Sequence, residues 1–244
     1  MHAFSQILKT EARLYLRDTS TMVLTIALPT LILVVLGLIP TLRKPTPDLG
    51  GQSFVTYFTP SLLVVTLAMV GVNVLPTVLA TYRERGILRR LATTPASPLA
   101  LLLAQLVLAL IGILASAVLL AVVARLAFGV PLPQHPLGFA AALILGTAAL
   151  LALGLLVAAV APTARSAQAL TVPVFMAVMF FGGVYLPRFL LPDFLAEIGA
   201  YTPPGVQALL DAWTGTAPHP LHLAIMAVVA VTAGALATKL FRWQ

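Results

Sequence analysis

Four arginines and a glutamate crowd the nine positions from Tyr82 to Arg90 within YRERGILRRLATTPASP, the stretch that runs on to Pro98. Arg83, Arg85, Arg89 and Arg90 with Glu84 make a surface suited to docking a soluble partner rather than to bond-breaking. Gly86 interrupts the charged run, and Ile87, Leu88 and Leu91 follow at helical spacing, until Pro95 and Pro98 end the pattern before the next apolar run. The expectation is a short helix with an apolar stripe and a basic face, tied at both ends to membrane spans. A topogenic signal would account for the arginines alone. Coupling to a partner accounts for the rest of the pattern.

Other chemistry is missing. Histidine stands only at 2, 135, 219 and 222, outside any mid-span position, and no HExxH is present for a zinc protease. There is no GxSxG elbow, and the chain has no cysteine to serve as nucleophile, metal ligand or disulfide partner. Gly50-Gly51 and Gly182-Gly183 lack the GxxxxGK[ST] arrangement that cradles phosphate. No catalytic residue, metal site or nucleotide site is therefore expected in this chain.

The elements that carry the loop are membrane spans. The 244 residues are 60% hydrophobic and 9% charged, against about a quarter charged for a soluble domain. Apolar runs long enough to cross roughly 30 Å of hydrocarbon fall at about 22–41, 58–81, 99–124, 138–160, 167–186 and 220–240. The reading is an all-α, polytopic protein with six transmembrane helices, forming one transmembrane domain over 1–244. If the N-terminus is cytoplasmic, that side holds Lys9, Arg13, Arg17, Arg83, Arg85, Arg89, Arg90, Arg165, Lys239 and Arg242. The other side holds Arg43, Lys44, Arg125 and Arg188. Ten of the 14 basic residues thus favour cytoplasmic termini by the positive-inside rule. The net charge of +7 reads as basic loops facing anionic lipid, not as a nucleic-acid surface.

Residues 1–19 read as an amphipathic helix in the membrane plane. Phe4, Ile7, Leu8 and Tyr15 share one face, and Gln6, Lys9, Arg13 and Arg17 the opposite one. Glu11 falls on the apolar side, which points either to a protein partner such as the basic loop or to a snorkelling side chain. Between Pro187 and Pro220 lie two apolar pieces too short to span, read as re-entrant helices over 187–219 on the outer side. Pro203-Pro204 would start the second of them, with Tyr201 and Trp213 as interfacial anchors. The fourth span carries Ala142, Gly146, Gly154 and Ala158 at four-residue spacings that permit close helix approach, within one subunit or between two.

No ionisable residue stands mid-span, so proton or ion pathways lack their usual markers. Met69, Asn73, Phe175 and Met179 are candidates for contact with a hydrophobic or amphipathic substrate. Each also suits plain helix packing, and Asn73 in particular reads equally as structural glue.

YRERGILRRLATTPASPLALLLAQ resembles the permease subunits of type-2 ATP-binding-cassette (ABC) exporters, including the daunorubicin-resistance-like drug permeases. LRDTSTMVLTIALPTLILVVLG resembles that family's lead-in to its first span. GGVYLPRFLLPDFLAEIGAYTPPGVQALLDAW resembles its outer re-entrant segment. The resemblance implies an elbow helix bearing Lys9, Glu11, Arg13 and Arg17. It implies a coupling region over 82–98 that docks on a separate ATPase. Glu84, Arg85 and Gly86 match the motif directly, with Tyr82, Arg83, Arg89 and Arg90 around them. It also implies two permease and two ATPase subunits, the permeases forming a homodimer or a related heterodimer, with ATP and Mg held by the ATPase in the plasma (inner) membrane. A transporter or channel independent of any ATPase is the alternative.

Overall fold

The computed structural model describes residues 2–92 and 98–240. Among these every regular element is a helix. In chain order they are α1 (His2–Arg17), α2 (Thr19–Gly37), α3 (Phe54–Glu84), α4 (Ile87–Ala92), α5 (Pro98–Phe128) and α6 (Pro136–Val160). After these come α7 (Ala164–Phe181), α8 (Asp193–Tyr201), α9 (Val206–Thr214) and α10 (Pro220–Leu240). Six of them, α2, α3, α5, α6, α7 and α10, are long and apolar enough to cross a membrane.

Local chemistry sets boundaries that the apolar runs alone misplace. The first span starts at Thr19 rather than 22 because Asp18 caps it, its carboxylate accepting from the Thr21 N–H at 3.1 Å and the Thr21 hydroxyl at 2.6 Å. Its helix stops at Gly37, ahead of the Pro40–Arg43 turn. The fifth span ends at Phe181, not 186, where Gly183 at φ +72° turns the chain out of the helix. Ser53 caps α3, accepting from the Thr56 N–H at 3.2 Å.

Prolines inside spans leave a second mark. A π-helical turn at Val23–Ala27 precedes Pro29, and another at Met69–Val74 precedes Pro76. A prolyl nitrogen cannot donate and its ring crowds the carbonyl four residues back. The widened turn absorbs that conflict without ending the helix.

Helix α3 is the centre of the fold, with 72% of its most apolar window buried against 17–50% in the other five spans. Helix α6 packs along it and along α10. Gly154 lies directly against the Gly71 carbonyl and Gly146 against the Pro204 carbonyl, while Ala142 and Ala158 are fully buried. All four small residues of α6 thus serve packing inside one subunit.

The connection from α7 to α10 departs from expectation in two details. Pro203-Pro204 lies in the turn before α9, which begins at Val206 after Gly205 at φ +73°. Trp213 is no interfacial anchor: it is 3% exposed and packs edge-on against Phe139 at 5.6 Å. Residues 134–135 fix this end of the bundle, with the His135 N–H donating to the Ala212 carbonyl at 2.9 Å. Tyr201 remains at the surface, 38% exposed, against the His222 ring.

Candidate functional site

Helix α3 has 31 residues, about 46 Å at 1.5 Å per residue, against roughly 30 Å of hydrocarbon. Its last turn therefore carries Tyr82, Arg83 and Glu84 out to the loops at one end of the bundle. Each of the three holds a different neighbour. The Tyr82 hydroxyl donates to Glu11 Oε2 at 2.7 Å, and Gln105 Nε2 donates to the same oxygen at 2.6 Å. Glu11 thus leaves the exposed face of α1, where Lys9, Arg13 and Arg17 stand, and ties α1 to α3 and α5. Tyr15 reinforces the docking through a 2.8 Å hydrogen bond with Thr25 of α2.

Arg83 and Glu84 grip the turn between α6 and α7 from both sides. Arg83 Nη1 donates to the carbonyls of Ala158 and Ala161, each at 2.7 Å. Glu84 Oε2 accepts from the Ala164 N–H at 3.0 Å. Helix C-termini present unpaired carbonyls with partial negative charge, and N-termini present N–H groups with partial positive charge. Consecutive residues of opposite sign therefore match the end of α6 and the start of α7. Thr163 and Ser166 complete the start of α7 as a reciprocal cap.

The charged run from Tyr82 to Arg90 is divided between two helices. In the structure Glu84 is the last residue of α3, and Gly86 at φ +67° makes a corner that an L side chain would strain. The short helix is α4, anchored by Leu88 at 1% exposure. Arg85, Arg89 and Arg90 are exposed beside it, whereas Arg83 is half-buried. Residues 93–97, which include Pro95, lie outside the described residues, and Pro98 opens α5.

Two of the four candidate substrate contacts line a common cavity. Met69 and Asn73 line one cavity of about 330 Å³ with Thr77, Thr81, Asp18 and Tyr82. Along its wall the Thr77 hydroxyl donates to the Asn73 carbonyl at 2.8 Å, and that of Thr81 to the Thr77 carbonyl at 2.7 Å. Phe175 and Met179 on α7 are not in that lining; Met179 is 6% exposed in the core against which both Met69 and Phe175 pack. Helical spacing put each pair on a common face but carried no information about how α3 and α7 are rotated toward each other.

The opposite end of the bundle holds a cavity of about 460 Å³ between the start of α3, the turn at Arg188–Leu190, α8 and α9. Arg188 and Asp211 wall it together with Tyr57, Gln207 and Trp213. Arg188 Nη2 donates to the Ala196 carbonyl at 2.7 Å. Burial holds its guanidinium below the ordinary value, with the fields of Tyr57 and Asp211 opposing. Sequence reasoning used Arg188 only to count loop charges. Its signal was its isolation in the apolar run LPRFLLP. At the first end, Asp18 is held below the ordinary carboxylate range by hydrogen bonds from the Thr21 and Ser20 hydroxyls and the Thr21 N–H. Among the described residues no group of three or more His, Cys, Asp or Glu converges as a metal site would.

Residues 2–204 match the family described as ABC-2 type transporter. A comparison with curated proteins finds no match.

Proposed function

This chain belongs to the ABC-2 type transporter family, and we propose that it forms half of the membrane path of an ATP-driven exporter for hydrophobic or amphipathic molecules. Membership makes the chain the multi-pass transmembrane component of an ABC transporter, a permease subunit distinct from the nucleotide-binding one and partnered with an ABC ATPase. The steps beyond that are our reading. Two copies of the chain, or one copy and a related permease, would stand on two ATPase subunits that hold ATP and Mg. Both termini would face the cytoplasm of a plasma (inner) membrane, with α1 as the elbow helix in its plane.

One observation carries this reading: the end of α3 is bonded at once to α1, α5 and the α6–α7 turn, immediately before a corner that presents exposed arginines. A force applied at Arg85, Arg89 and Arg90 by a docked ATPase would move α3 together with everything it grips. The groups bonded to neighbouring helices, half-buried Tyr82 and Arg83 with exposed Glu84, transmit, and the exposed arginines beyond them receive. The corner at Gly86 joins the two sets. The cavity lined by Met69 and Asn73 lies along the same helix, so movement of α3 reshapes it. Its mixture of thioether, amide and hydroxyl groups suits an amphipathic cargo, whereas the uncharged middle of every span disfavours a small ion.

The test is ATP hydrolysis in proteoliposomes containing the chain and its cognate ABC ATPase, with lipophilic compounds added. Wild type should show compound-stimulated hydrolysis. Charge reversal by Arg89→Glu should lower both ATPase association and stimulation while membrane insertion stays intact. Transport that proceeds unchanged without ATP would overturn the reading in favour of an autonomous transporter.

A further inference from the structure

The 460 Å³ cavity at the end of the bundle away from α4 has a lining that the exporter reading does not use. Its volume is in the range of small-ligand sites. Two residues of its lining carry donors that lack acceptors among the described residues: Arg188 Nη1 and Trp213 Nε1 are both buried behind the cavity surface without a partner. Buried donors left in this state are uncommon and call for a reason. The carboxylate of Asp211 faces the same cavity, its Oδ1 accepting from Gln207 Nε2 at 2.6 Å. Arg188 and Asp211 feel each other's charge, yet among the described residues no ion pair joins them. Tyr57 and Phe189 meet edge-on at 5.7 Å on another side of the cavity.

We propose that this cavity is a binding site for a zwitterionic amphiphile head, an oxyanion joined by a short link to a cationic amine. The oxyanion supplies the acceptor that Arg188 Nη1 lacks, reached by reorientation of the flexible Arg188 side chain, with the Trp213 ring in the same lining. The amine lies beside Asp211 and the aromatic ring of Tyr57, where a cation is favoured. Opposite charges held apart across one cavity select a ligand that carries both signs, because a singly charged head leaves one protein charge opposed by its like or unanswered. The site stands on this chain's own side chains and does not depend on an ATPase, so it can fail without touching the exporter reading.

The chain has two tryptophans, Trp213 and Trp243, so Trp243→Phe leaves Trp213 as the sole fluorescent reporter in the purified full-length protein. Dihexanoyl phosphatidylethanolamine should shift Trp213 emission saturably, and dihexanoylglycerol, which has the same tails and no head charge, should not. Arg188→Gln should weaken the phosphatidylethanolamine response about ten- to a hundredfold, the range for loss of a charge-assisted hydrogen bond. Asp211→Asn gives the reciprocal signature: weaker binding of phosphatidylethanolamine and tighter binding of dihexanoyl phosphatidic acid. That arm stands even if Arg188→Gln fails to fold. Free phosphoethanolamine that competes at the lipid's own concentration would identify a soluble zwitterion as occupant, and failure to compete would identify a lipid or lipid-like cargo. An equal response to dihexanoylglycerol, or an Asp211→Asn variant that moves both charged lipids in the same direction, overturns the assignment.

Discussion

Replacing Gly154 with alanine should destabilise the protein, against the usual rule for helices. Within a helix interior alanine is favoured over glycine by about 1 kcal/mol. Here, however, an added Cβ would fall far inside van der Waals contact distance of the Gly71 carbonyl oxygen on α3. The obstacle is backbone, so no side-chain rotation relieves it. Its position in the π-turn at Met69–Val74 ties it to the most deeply buried of the six spans. Overpacking typically costs about 1–3 kcal/mol, and a backbone clash belongs at or above the upper end. After the helical gain is subtracted the net loss is about 2 kcal/mol, or roughly 4–8 °C in melting temperature for a chain of this length. Gly234→Ala on α10 is the internal control, since the nearest atom to its Cβ is that of Ala152 at 4.0 Å. That variant should melt at or slightly above wild type. Thermal unfolding of both in the same detergent decides the matter. A Gly154→Ala protein as stable as Gly234→Ala would refute the close approach of α3 and α6, and with it the account of why α6 is rich in small residues.

Removing the grip of Arg83 by Arg83→Met should cost about 1–3 kcal/mol, two charge-assisted bonds discounted for partial exposure, and should speed protease nicking at residues 161–163 roughly 5- to 150-fold. A double-mutant cycle of Tyr82→Phe with Glu11→Ala should give a coupling of about 1–2 kcal/mol; a value near zero would mean that α1 is not held through this carboxylate. The contribution of Asp18 should follow its depressed pKa. A group more acidic in the folded state stabilises fully above its unfolded value and loses that effect as pH falls through the folded one. The difference in melting temperature between wild type and Asp18→Ala should accordingly be constant above about pH 5 and shrink on acidification below the ordinary carboxylate value of 3.8.

The spans were legible because crossing a bilayer requires long apolar helices and little else, and their number follows from counting such runs. The small residues of α6 were legible for a related reason, since close packing needs absent side chains at helical spacing. The grips of Arg83 and Glu84 were not. Their partners are backbone groups 75–80 residues away, and any residue supplies a carbonyl or an N–H, so no residue type announced them. Glu11 was half legible: its placement on an apolar face called for a partner, but helical phase could not say that Tyr82 and Gln105 would meet it. Trp213 misled because an amphipathic ring suits a membrane interface and a buried core equally. Arg188 and Asp211, 23 positions apart, become neighbours only through the fold of α8 and α9.

The π-turn at Met69–Val74 acts as slack between two halves of one helix. A π-turn takes up one extra residue in a widened turn, whereas each residue of a regular α-helix advances the azimuth by about 100°. The bearings of Tyr82, Arg83 and Glu84 relative to the first half of α3 are therefore kept although the turn holds a residue more than α-geometry needs. Deleting a single amino acid within Met69–Val74 would let the turn tighten toward regular α-geometry and leave those bearings nearly unchanged, whereas a deletion in the regular stretch that follows, Leu75–Glu84, would swing the far end of α3 by roughly a quarter of a revolution. Tyr82 would then lose Glu11, and Arg83 would sweep off the end of α6, although neither residue had changed. Natural variants of this chain should accordingly tolerate a single-residue gap in the π-turn far better than one between it and Tyr82.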